Sequence, residues 1–389
     1  MASTRLGTCL VALIALDPVF SAPDAEQTPS ARLAAIKKDF DAASEAHVKA
    51  FHELKDTAEG RKRAADLWKN FVAKRSALYA DALQLATDNP KSDVAFEALA
   101  WMLTMPQAYI DPVGRKALRE LTEHHAANSK IGTIVTMLGR LGPRENELQS
   151  SPLTDALFKA VLEKNSDRTV RGQVFISRAW QASRRFDVAE YKRSPQTEAL
   201  ATEAEQAFEV VVKDYDDCPS LLPNSKRTLG ELARQELYSL RNLRVGKIAP
   251  DIEGMDLNGA KFKLTDSRSK VTMLVFWATW CGPCMAMVPH EREIAARMSN
   301  KPFTLVGVNG DTDREKAKQV AMRERMSWQS FWNGEEGSAG PISRKWNVTN
   351  WPTTYLIDTK GVIRFKDLPP RELDEAVDQL VKEAENEKK

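Results

Sequence analysis

The chain has 389 residues, of which 42% are hydrophobic and 28% are charged. At roughly 100 to 200 residues per domain, this length predicts two or three folded units, and the apolar content excludes a largely disordered chain. Its 56 lysines and arginines nearly balance its 54 aspartates and glutamates, so the net charge is only +2. No global field favours nucleic acid or acidic lipid, and no nucleic-acid partner is expected.

The first 22 residues resemble a signal peptide. The apolar stretch LGTCLVALIAL spans residues 6–16, and the small residues Ser21 and Ala22 follow it. Because the stretch is shorter than the ~20 residues needed to cross a bilayer, we expect cleavage and export, with a disordered or packed N-terminus as the alternative. Cleavage would remove Cys9 and leave three cysteines, so at least one of them is unpaired within the chain.

Residues 24–243 are predicted to form an all-α domain. Apolar residues recur every three or four positions over 33–54 and again over 68–85, which is the pattern of two amphipathic helices. We expect these helices to pair as an antiparallel hairpin, interrupted at Gly60. Residues 201–215 resemble one helix of a tetratricopeptide repeat without a fixed period, so a helical-repeat scaffold stays open. Shorter helices are predicted over residues 93–105, 112–127, 154–163, 170–185, 198–214 and 227–243.

Residues 244–389 are predicted to form an α/β domain. The run VTMLVFW at 271–277 is continuous, apolar and β-rich, as expected for a strand that is buried on both faces. A second such run follows at 303–309, and the helical pattern after each strand predicts a parallel βαβ unit. A hairpin and a last helix complete the predicted order. The predicted helices cover residues 281–298, 313–326 and 371–384, and the two strands of the hairpin cover residues 353–358 and 362–365.

The strongest functional signal is Cys281-Gly282-Pro283-Cys284 at the predicted junction of strand and helix. Two cysteines three positions apart at a helix start can form an intramolecular disulfide, and the helix dipole and backbone N–H groups stabilise a thiolate at the first sulfur. Cys281 is therefore predicted to be the nucleophile, and Cys284, one turn deeper and less exposed, to resolve the mixed disulfide. The cysteine pair itself would be the redox group, without a cofactor.

With its surroundings, this motif resembles the TlpA/ResA branch of thiol-disulfide oxidoreductases in the thioredoxin superfamily. The matching positions are the segment 280–284, Pro289 in the following helix and the segment 351–353 ahead of the hairpin. The resemblance implies a thioredoxin-like fold over residues 244–389 and a cis peptide bond before Pro352. It also implies a set of residues that bind the substrate polypeptide: Trp280, Gly282, Pro283, Trp351, Pro352 and Thr353.

Several positions depart from that family's pattern. Val275 stands in place of the buried acid ahead of the first cysteine, and Met287 in place of the glutamate that follows it, so neither usual proton acceptor is present. Glu291 and Lys270 are the nearby substitutes, but Glu291 is expected to be a solvated charge on the helix face. The family's usual glycine after the final hairpin is also missing, because residues 367–370 (DLPP) occupy that loop, so substrate choice is expected to differ.

No metal site is predicted. A zinc site would need a second pair of Cys or His ligands beside the two cysteines, and the sequence lacks one. The segment 309–313 lacks the ligand spacing of a calcium loop, so Thr312 or Asp313 is expected to cap the next helix. His290 is expected to be a partly exposed helical residue. The remaining histidines lack clustered ligands and are expected to lie at the surface or pack: His47, His52, His124 and His125.

The sequence predicts an exported, periplasmic oxidoreductase that reduces disulfides in protein substrates, or a cytoplasmic one if the N-terminal segment is not a signal. An external electron donor, such as a membrane thiol-disulfide transporter, would re-reduce the cysteine pair. One alternative is a helical scaffold that binds an unknown partner and carries a redox switch. Another is a peroxiredoxin-like thiol peroxidase, although the Pro-x-x-x-Thr-x-x-Cys spacing is absent. Cys218 is expected to be a structural or free thiol.

Overall fold

The computed structural model of the chain describes residues 28–55, 57–105, 112–141 and 151–387. These residues form two compact units. The first contains the described residues up to Met102 and those from 112 to 117, and the second contains all the others. The predicted signal peptide lies outside the described residues. The predicted domain boundary after residue 243 lies inside the second unit and stays a prediction.

The first unit is built on a long helical hairpin. Helices α1 (Pro29–His52) and α2 (Ala58–Asp88) pack along one another, which confirms the predicted pairing. Phe40 of α1 stacks on Tyr79 of α2 with 6.1 Å between the ring centroids. Phe40 also meets the edge of Trp101, in the following helix, at 5.4 Å. Aromatic packing therefore joins the two long helices to the next one.

The sequence predicts a break in the hairpin at Gly60, but α1 ends at His52 and α2 begins at Ala58, so Gly60 lies inside α2. Gly60 occupies the first turn of α2, where its N–H donates to the Thr57 hydroxyl at 3.0 Å. This is a side-chain cap of the helix N-terminus. A Cβ at position 60 would stand 1.9 Å from the carbonyl oxygen of Lys55. Glycine is thus required here by the close approach of the chain and does not end the helix.

The other helices ahead of the C-terminal sheet follow the predicted order, with ends that differ by a few residues. They are α3 (Asp93–Thr104), α4 (Pro112–His124), α5 (Gly132–Leu141), α6 (Pro152–Lys164), α7 (Arg168–Tyr191), α8 (Thr197–Asp214) and α9 (Leu229–Asn242). The α5 helix was not predicted. In the second unit, α7 packs against both α5 and α8, and α8 packs against α9. The region before residue 244 is thus mostly helical where the structure describes it.

The C-terminal part contains a five-stranded sheet in the order β5-β4-β3-β6-β7. Its elements are β1 (Glu253–Met255), β2 (Lys261–Lys263), β3 (Val271–Trp277), α10 (Gly282–Arg297), β4 (Phe303–Asn309), α11 (Arg314–Arg323), β5 (Ser330–Trp332), α12 (Pro341–Lys345), β6 (Thr353–Ile357), β7 (Ile363–Lys366) and α13 (Pro370–Asn386). β3, β4 and β5 run parallel, whereas β6 is antiparallel to β3 and β7 to β6. The predicted βαβ unit and hairpin are both confirmed, and β1 pairs with β2 in a separate hairpin.

Alternate side chains of β3 enter two different cores. Met273 and Val275 pack into a core that also contains the two cysteines of the motif and residues of α13. Leu274 and Phe276 pack into a second core, which Leu243 joins from the end of α9. The sheet is therefore covered on both faces, and within the second unit its second face packs against the C-terminal end of α9.

Candidate dithiol active site

The cysteine pair lies where β3 ends and α10 begins. All seven residues of β3 are buried, since each face of the strand meets a core. Cys281 is the N-cap residue of α10, and Pro283 occupies the first helical turn, where a missing backbone N–H costs no hydrogen bond. Cys281 and Cys284 are joined by a disulfide bond, with their Cα atoms 5.2 Å apart. The two sulfurs thus bridge the first turn of the helix.

The start of α10 favours negative charge on the first sulfur. The backbone N–H of Cys284 donates to Cys281 Sγ at 3.1 Å. Unsatisfied N–H groups and the positive end of the helix dipole stabilise a thiolate at this position. Gly282 and Pro283 are exposed, whereas Cys281 and Cys284 are 4% and 2% exposed in the disulfide form. The expected difference in exposure between the two cysteines is therefore small in this state.

A second loop lies beside the cysteine motif. The Trp351–Pro352 peptide bond is cis, and Thr353 begins β6, where it pairs with Phe276 of the neighbouring β3. The rings of Trp351 and Trp280 are 5.8 Å apart, and Trp351 packs against the core that holds the cysteines. Trp280 is 57% exposed. The residues expected to bind substrate thus lie in two segments, 280–283 and 351–353, which are in contact through this tryptophan pair.

Asp311 holds the loop ahead of Cys281 in place. It is 4% exposed, and its carboxylate accepts hydrogen bonds from the backbone N–H and the hydroxyl of Thr279, at 2.9 and 2.6 Å. The side-chain amide of Asn309 donates to the same carboxylate at 2.7 Å. No sequence motif predicts a role for Asp311. A polar residue after the second of two parallel strands was the available signal, because such strands end at the same edge of a sheet.

The segment 309–313 caps a helix, as the sequence analysis expected. Asp313 is the N-cap residue of α11, and its carboxylate accepts the backbone N–H of Lys316 at 2.9 Å. A carboxylate at this position satisfies an N–H group that has no partner within the helix. Two acids only two positions apart therefore have different roles. Asp311 binds the loop that precedes Cys281, whereas Asp313 caps the exposed N-terminus of α11.

The expectation that Glu291 is a solvated charge is wrong. Glu291 is only 4% exposed, and burial raises the pKa of its carboxyl group from 4.5 to about 7. It belongs to one buried stripe of α10 with Cys284, Val288 and Ile294. Their spacing of four, three and three residues places them on one helix face. That spacing was visible in the sequence, but the glutamate was assigned by its charge. Ideal helical rise puts the Cα atoms of Cys284 and Glu291 about 10 Å apart.

The other three positions considered for a proton acceptor beside the cysteines do not supply one. Val275 is 1% exposed and packs in the core beside the cysteines, and Met287 packs against the same core. Lys270 is exposed and precedes β3, whereas Cys281 follows that strand. The length of the seven-residue strand, about 20 Å, separates the lysine from the dithiol. Among these candidates only Glu291 lies buried on the helix that carries the cysteines.

Cys218 lies away from the dithiol. It is free, 3% exposed, and packed in the core formed by α7, α8 and α9. Burial raises the pKa of its thiol above the ordinary value of 9.0. Because the thiolate is the reactive form, a buried thiol with a raised pKa is poorly nucleophilic at neutral pH. Cys218 therefore fits the expectation of a structural thiol.

The described residues contain no group of three or more His, Cys, Asp or Glu side chains that could hold a metal ion. His290 is partly exposed, with its Nε2 3.5 Å from a carboxylate oxygen of Asp374. His47 stacks on Phe71 with 4.8 Å between the ring centroids. In the same described part of the chain, no helix is both long and apolar enough to cross a membrane.

Comparisons with known proteins match this C-terminal part. The AhpC/TSA family model matches residues 245–366 and so begins after helices α1 to α9. Thioredoxin-like protein YneN from Bacillus subtilis is 32% identical over 133 residues, which cover 33% of this chain and 75% of YneN. Thiol-disulfide oxidoreductase ResA from Geobacillus kaustophilus is 29% identical over 120 residues, covering 31% of this chain and 67% of ResA.

Among solved structures, the thioredoxin domain of a thiol-disulfide oxidoreductase from Bacteroides vulgatus is 26% identical to the matched part. The match covers 36% of this chain and 99% of that domain, with a TM-score of 0.34. A thiol:disulfide interchange protein DsbE from Chlorobium tepidum is 28% identical, covering 36% of this chain and 96% of that protein, with a TM-score of 0.32.

Proposed function

Because the chain belongs, through its C-terminal domain, to the thioredoxin-like thiol-disulfide oxidoreductases, we propose that it works by dithiol-disulfide exchange at Cys281 and Cys284. The observation that most supports this is the position of the disulfide. It closes the first turn of α10, between the exposed Trp280 and the buried stripe of the helix. Its substrates, in this proposal, are disulfides of other proteins.

In the reduced enzyme, the Cys281 thiolate attacks one sulfur of the substrate disulfide. The substrate S–S bond breaks, its second sulfur leaves as a thiolate that takes up a proton, and Cys281 is joined to the substrate. Cys284, as a thiolate, then attacks Cys281 Sγ and releases the second substrate thiol. Two electrons pass from the enzyme to the substrate, and the Cys281–Cys284 disulfide is formed. An external donor must reduce this disulfide before the next turnover.

The geometry gives reasons for this order of events. Cys281 accepts the N–H of Cys284 at the helix start, so its thiolate is the better stabilised of the two. Trp280, Gly282 and Pro283 are exposed around it, and the cis-Pro352 loop adjoins Trp280. In this proposal these loops receive an extended substrate segment whose disulfide meets Cys281.

The proposed direction is reduction of the substrate. The Gly-Pro pair between the cysteines resembles that of reducing members of the family. Direction depends on the reduction potential, so the potential of the Cys281–Cys284 couple is the decisive measurement. A value near roughly −270 mV, as in thioredoxin, supports a reductase, whereas one near −120 mV would make the protein an oxidant.

The proposed compartment is outside the cytoplasm. Its support is the apolar segment at residues 6–16 with the small residues behind it. A membrane thiol-disulfide transporter would then be the electron donor. Fusing residues 1–30 to alkaline phosphatase, which is active only after export, tests this in a bacterial host. An inactive fusion would place the protein in the cytoplasm.

Trapping of substrates tests the proposed chemistry. Cys284→Ser removes the resolving thiol, so mixed disulfides between Cys281 and substrate proteins should accumulate on non-reducing gels. Cys218→Ser is the matched control, because that thiol is buried far from the motif in a different core and should neither trap nor lose substrates. Absence of adducts in Cys284→Ser, while Cys281 still reacts with iodoacetamide, would contradict the mechanism.

A thiol peroxidase is the second candidate, favoured by the AhpC/TSA description of the matching family model. A peroxidatic cysteine would react with peroxide directly, so a first turnover of peroxide should survive Cys284→Ser. Measuring peroxide consumption beside the reduction of insulin disulfides separates the two chemistries. Insulin reduction that needs both cysteines, without peroxide turnover, supports the oxidoreductase.

A further inference from the structure

A polar cleft lies between helices α7 and α9 and the β6–β7 edge of the sheet, all within the second unit. It consists of two adjoining cavities with volumes of about 180 and 310 Å³, compared with the ~30 Å³ that one water molecule occupies. The residues that line both cavities are Asp187, Glu190, Asn350 and Lys366. We call this feature the helix-sheet cleft.

The cleft adjoins the loop that carries the cis-proline. Asn350, which lines both cavities, precedes Trp351 and Pro352, and its carbonyl oxygen accepts the Thr353 hydroxyl at 2.8 Å. The opposite wall of the larger cavity includes Asp367 and Leu368, in the loop after β7. A polypeptide that lies along the cis-proline loop would therefore continue into the cleft.

Hydrogen bonds from α7 and α9 hold the walls of the cleft in place. The side chain of Asn347, which leads from α12 toward the cis-proline loop, accepts from Gln235 Nε2 at 2.6 Å and donates to Glu236 Oε2 at 3.1 Å. At the other end, a carboxylate oxygen of Glu190 accepts the backbone N–H of Val245 at 2.9 Å. The cleft is thus built by specific contacts of α7 and α9 with the C-terminal domain.

Carboxylates dominate the cleft. Burial raises the pKa of Asp187, Glu190 and Glu236, and repulsion by Asp187 adds to the effect on the other two. Such crowded carboxylates gain stability when a cation enters between them. Asp367 lies across from them, with its carboxylate accepting the backbone N–H of Thr354 at 2.8 Å. All four acids lie on the walls of the two cavities.

Two basic residues of the cleft balance only part of this charge. Lys366 lies near these carboxylates and its charge lowers the pKa of all four, and Arg193 stacks on Phe365 at 5.1 Å from the ring centroid. Arg244 and Arg364 also line the cavities, but they pair with carboxylates outside the lining: Glu198, Asp358 and Glu383. Arg244 also acts on Glu190, so among the described lining residues four carboxylates face Lys366, Arg193 and a shared Arg244.

A buried donor in the same cleft lacks an acceptor. Trp346 lines the smaller cavity and is 1% exposed, and its indole N–H finds no hydrogen-bond partner among the described residues. A buried donor without a partner is destabilising, so such groups are usually satisfied by a ligand or water. The carbonyl groups of a polypeptide are suitable acceptors.

We propose that the helix-sheet cleft binds a cationic segment of the substrate polypeptide, with a lysine or arginine side chain among Asp187, Glu190 and Glu236 and a backbone carbonyl at the Trp346 N–H. This inference rests on the proposed dithiol exchange, because it names the substrates that the same cysteine pair prefers. Disulfides with basic residues nearby are selected, and α7 and α9 act as a specificity element of the oxidoreductase.

The test uses two synthetic peptides that share one disulfide and differ only in flanking residues, lysine in one and glutamate in the other. Stopped-flow rates of oxidation of the reduced full-length protein are divided by its rate with hydroxyethyl disulfide, which is neutral and small. We expect the lysine peptide to react about tenfold faster than the glutamate peptide, and the preference to weaken as salt rises. Asp187→Asn/Glu190→Gln should bring the ratio close to one.

The control double variant is Glu293→Gln/Glu385→Gln, which changes the net charge equally at two residues outside the cleft. The control variant should keep the preference for the lysine peptide over the glutamate peptide. If the control loses this preference as fully as Asp187→Asn/Glu190→Gln, or if the wild type reacts with both peptides at the same rate, the inference is overturned. Should the double variant not fold, Asp187→Asn alone supplies the comparison.

Binding measured without chemistry separates this inference from the proposed function. A lysine peptide with serines in place of cysteines should bind the oxidised wild-type protein in fluorescence anisotropy and bind Asp187→Asn/Glu190→Gln more weakly. If no peptide disulfide is reduced but the wild type still binds the lysine peptide more tightly than the double variant, the proposed dithiol chemistry is contradicted and the proposed binding by the cleft is supported. Equal binding to both proteins would overturn the cleft even if reduction proceeds.

Discussion

The dithiol region and the helix-sheet cleft contrast in how the chain builds them. The dithiol is made from four consecutive residues at one junction of strand and helix, and its chemistry depends on the local start of α10. The cleft is made from residues more than 150 positions apart in the chain, such as Asp187 and Lys366, that only packing brings together. Reactivity is thus local in this protein, whereas the proposed selectivity is assembled over distance.

This contrast teaches that the two properties can vary independently. The core that holds the sulfurs contains no described residue of α7 or α9. We therefore expect changes in these two helices to leave the conformation of the cysteines and of the start of α10 unchanged. The segment that matches the family model likewise begins after these helices, at residue 245. Variants in each region test how far this separation holds.

Loss of the nucleophile should have the largest effect. Cys281→Ser is expected to lower the rate of insulin disulfide reduction by at least about 1000-fold, because no other described cysteine can take its place. Anisotropy with the serine-containing lysine peptide should still detect binding to the cleft. Loss of peptide binding in this variant would show that the two regions are coupled.

Removal of the Asp311 carboxylate should cost about 3 kcal/mol of the free energy of unfolding, since it leaves two partly buried donors of Thr279 and the buried amide of Asn309 unsatisfied. Urea denaturation of Asp311→Ala measures the loss. Asp313→Ala, which removes an exposed helix cap in the same loop, is the control and should cost about 1 kcal/mol. Equal losses in the two variants would mean that Asp311 does not hold the loop before Cys281.

Glu291 should make stability fall as pH rises. Its pKa is 4.5 in the unfolded chain and about 7 in the folded one, so between these values the folded chain binds more protons. Raising the pH through this window therefore lowers the free energy of unfolding, by about 3 kcal/mol in total, and the cost is fully present above pH 7.

Glu291→Gln should abolish this dependence and make the protein more stable than the wild type at pH 8. Glu293→Gln, exposed on the same helix, is the matched control and should follow the wild-type pH profile. The measurement is urea denaturation at pH values from 5 to 8. A Glu291→Gln variant that loses stability at pH 8 would mean that the ionised carboxylate is stabilised by a partner in the core.

Much of the C-terminal fold was predictable because its signals are short-range. The run at 271–277 forms β3, the order of strands and helices agrees, and the peptide bond before Pro352 is cis, as the family resemblance implied. The errors also have physical causes. Gly60 was taken as a break, although a close carbonyl requires it inside α2. Glu291 was assigned by its charge, although its spacing from Cys284 places it on the buried face.

By itself, the sequence determined the cysteine pair, its place at a helix start and the class of chemistry that follows, because helix polarity and the i, i+3 spacing act within one turn. Only the tertiary structure decided the burial of Glu291, the task of Asp311 and the existence of the helix-sheet cleft. Each of these depends on which distant groups surround a side chain. Helical spacing places Glu291 on one face with Cys284, but the desolvation and the electrostatic repulsion that a side chain meets are set by the groups packed around it.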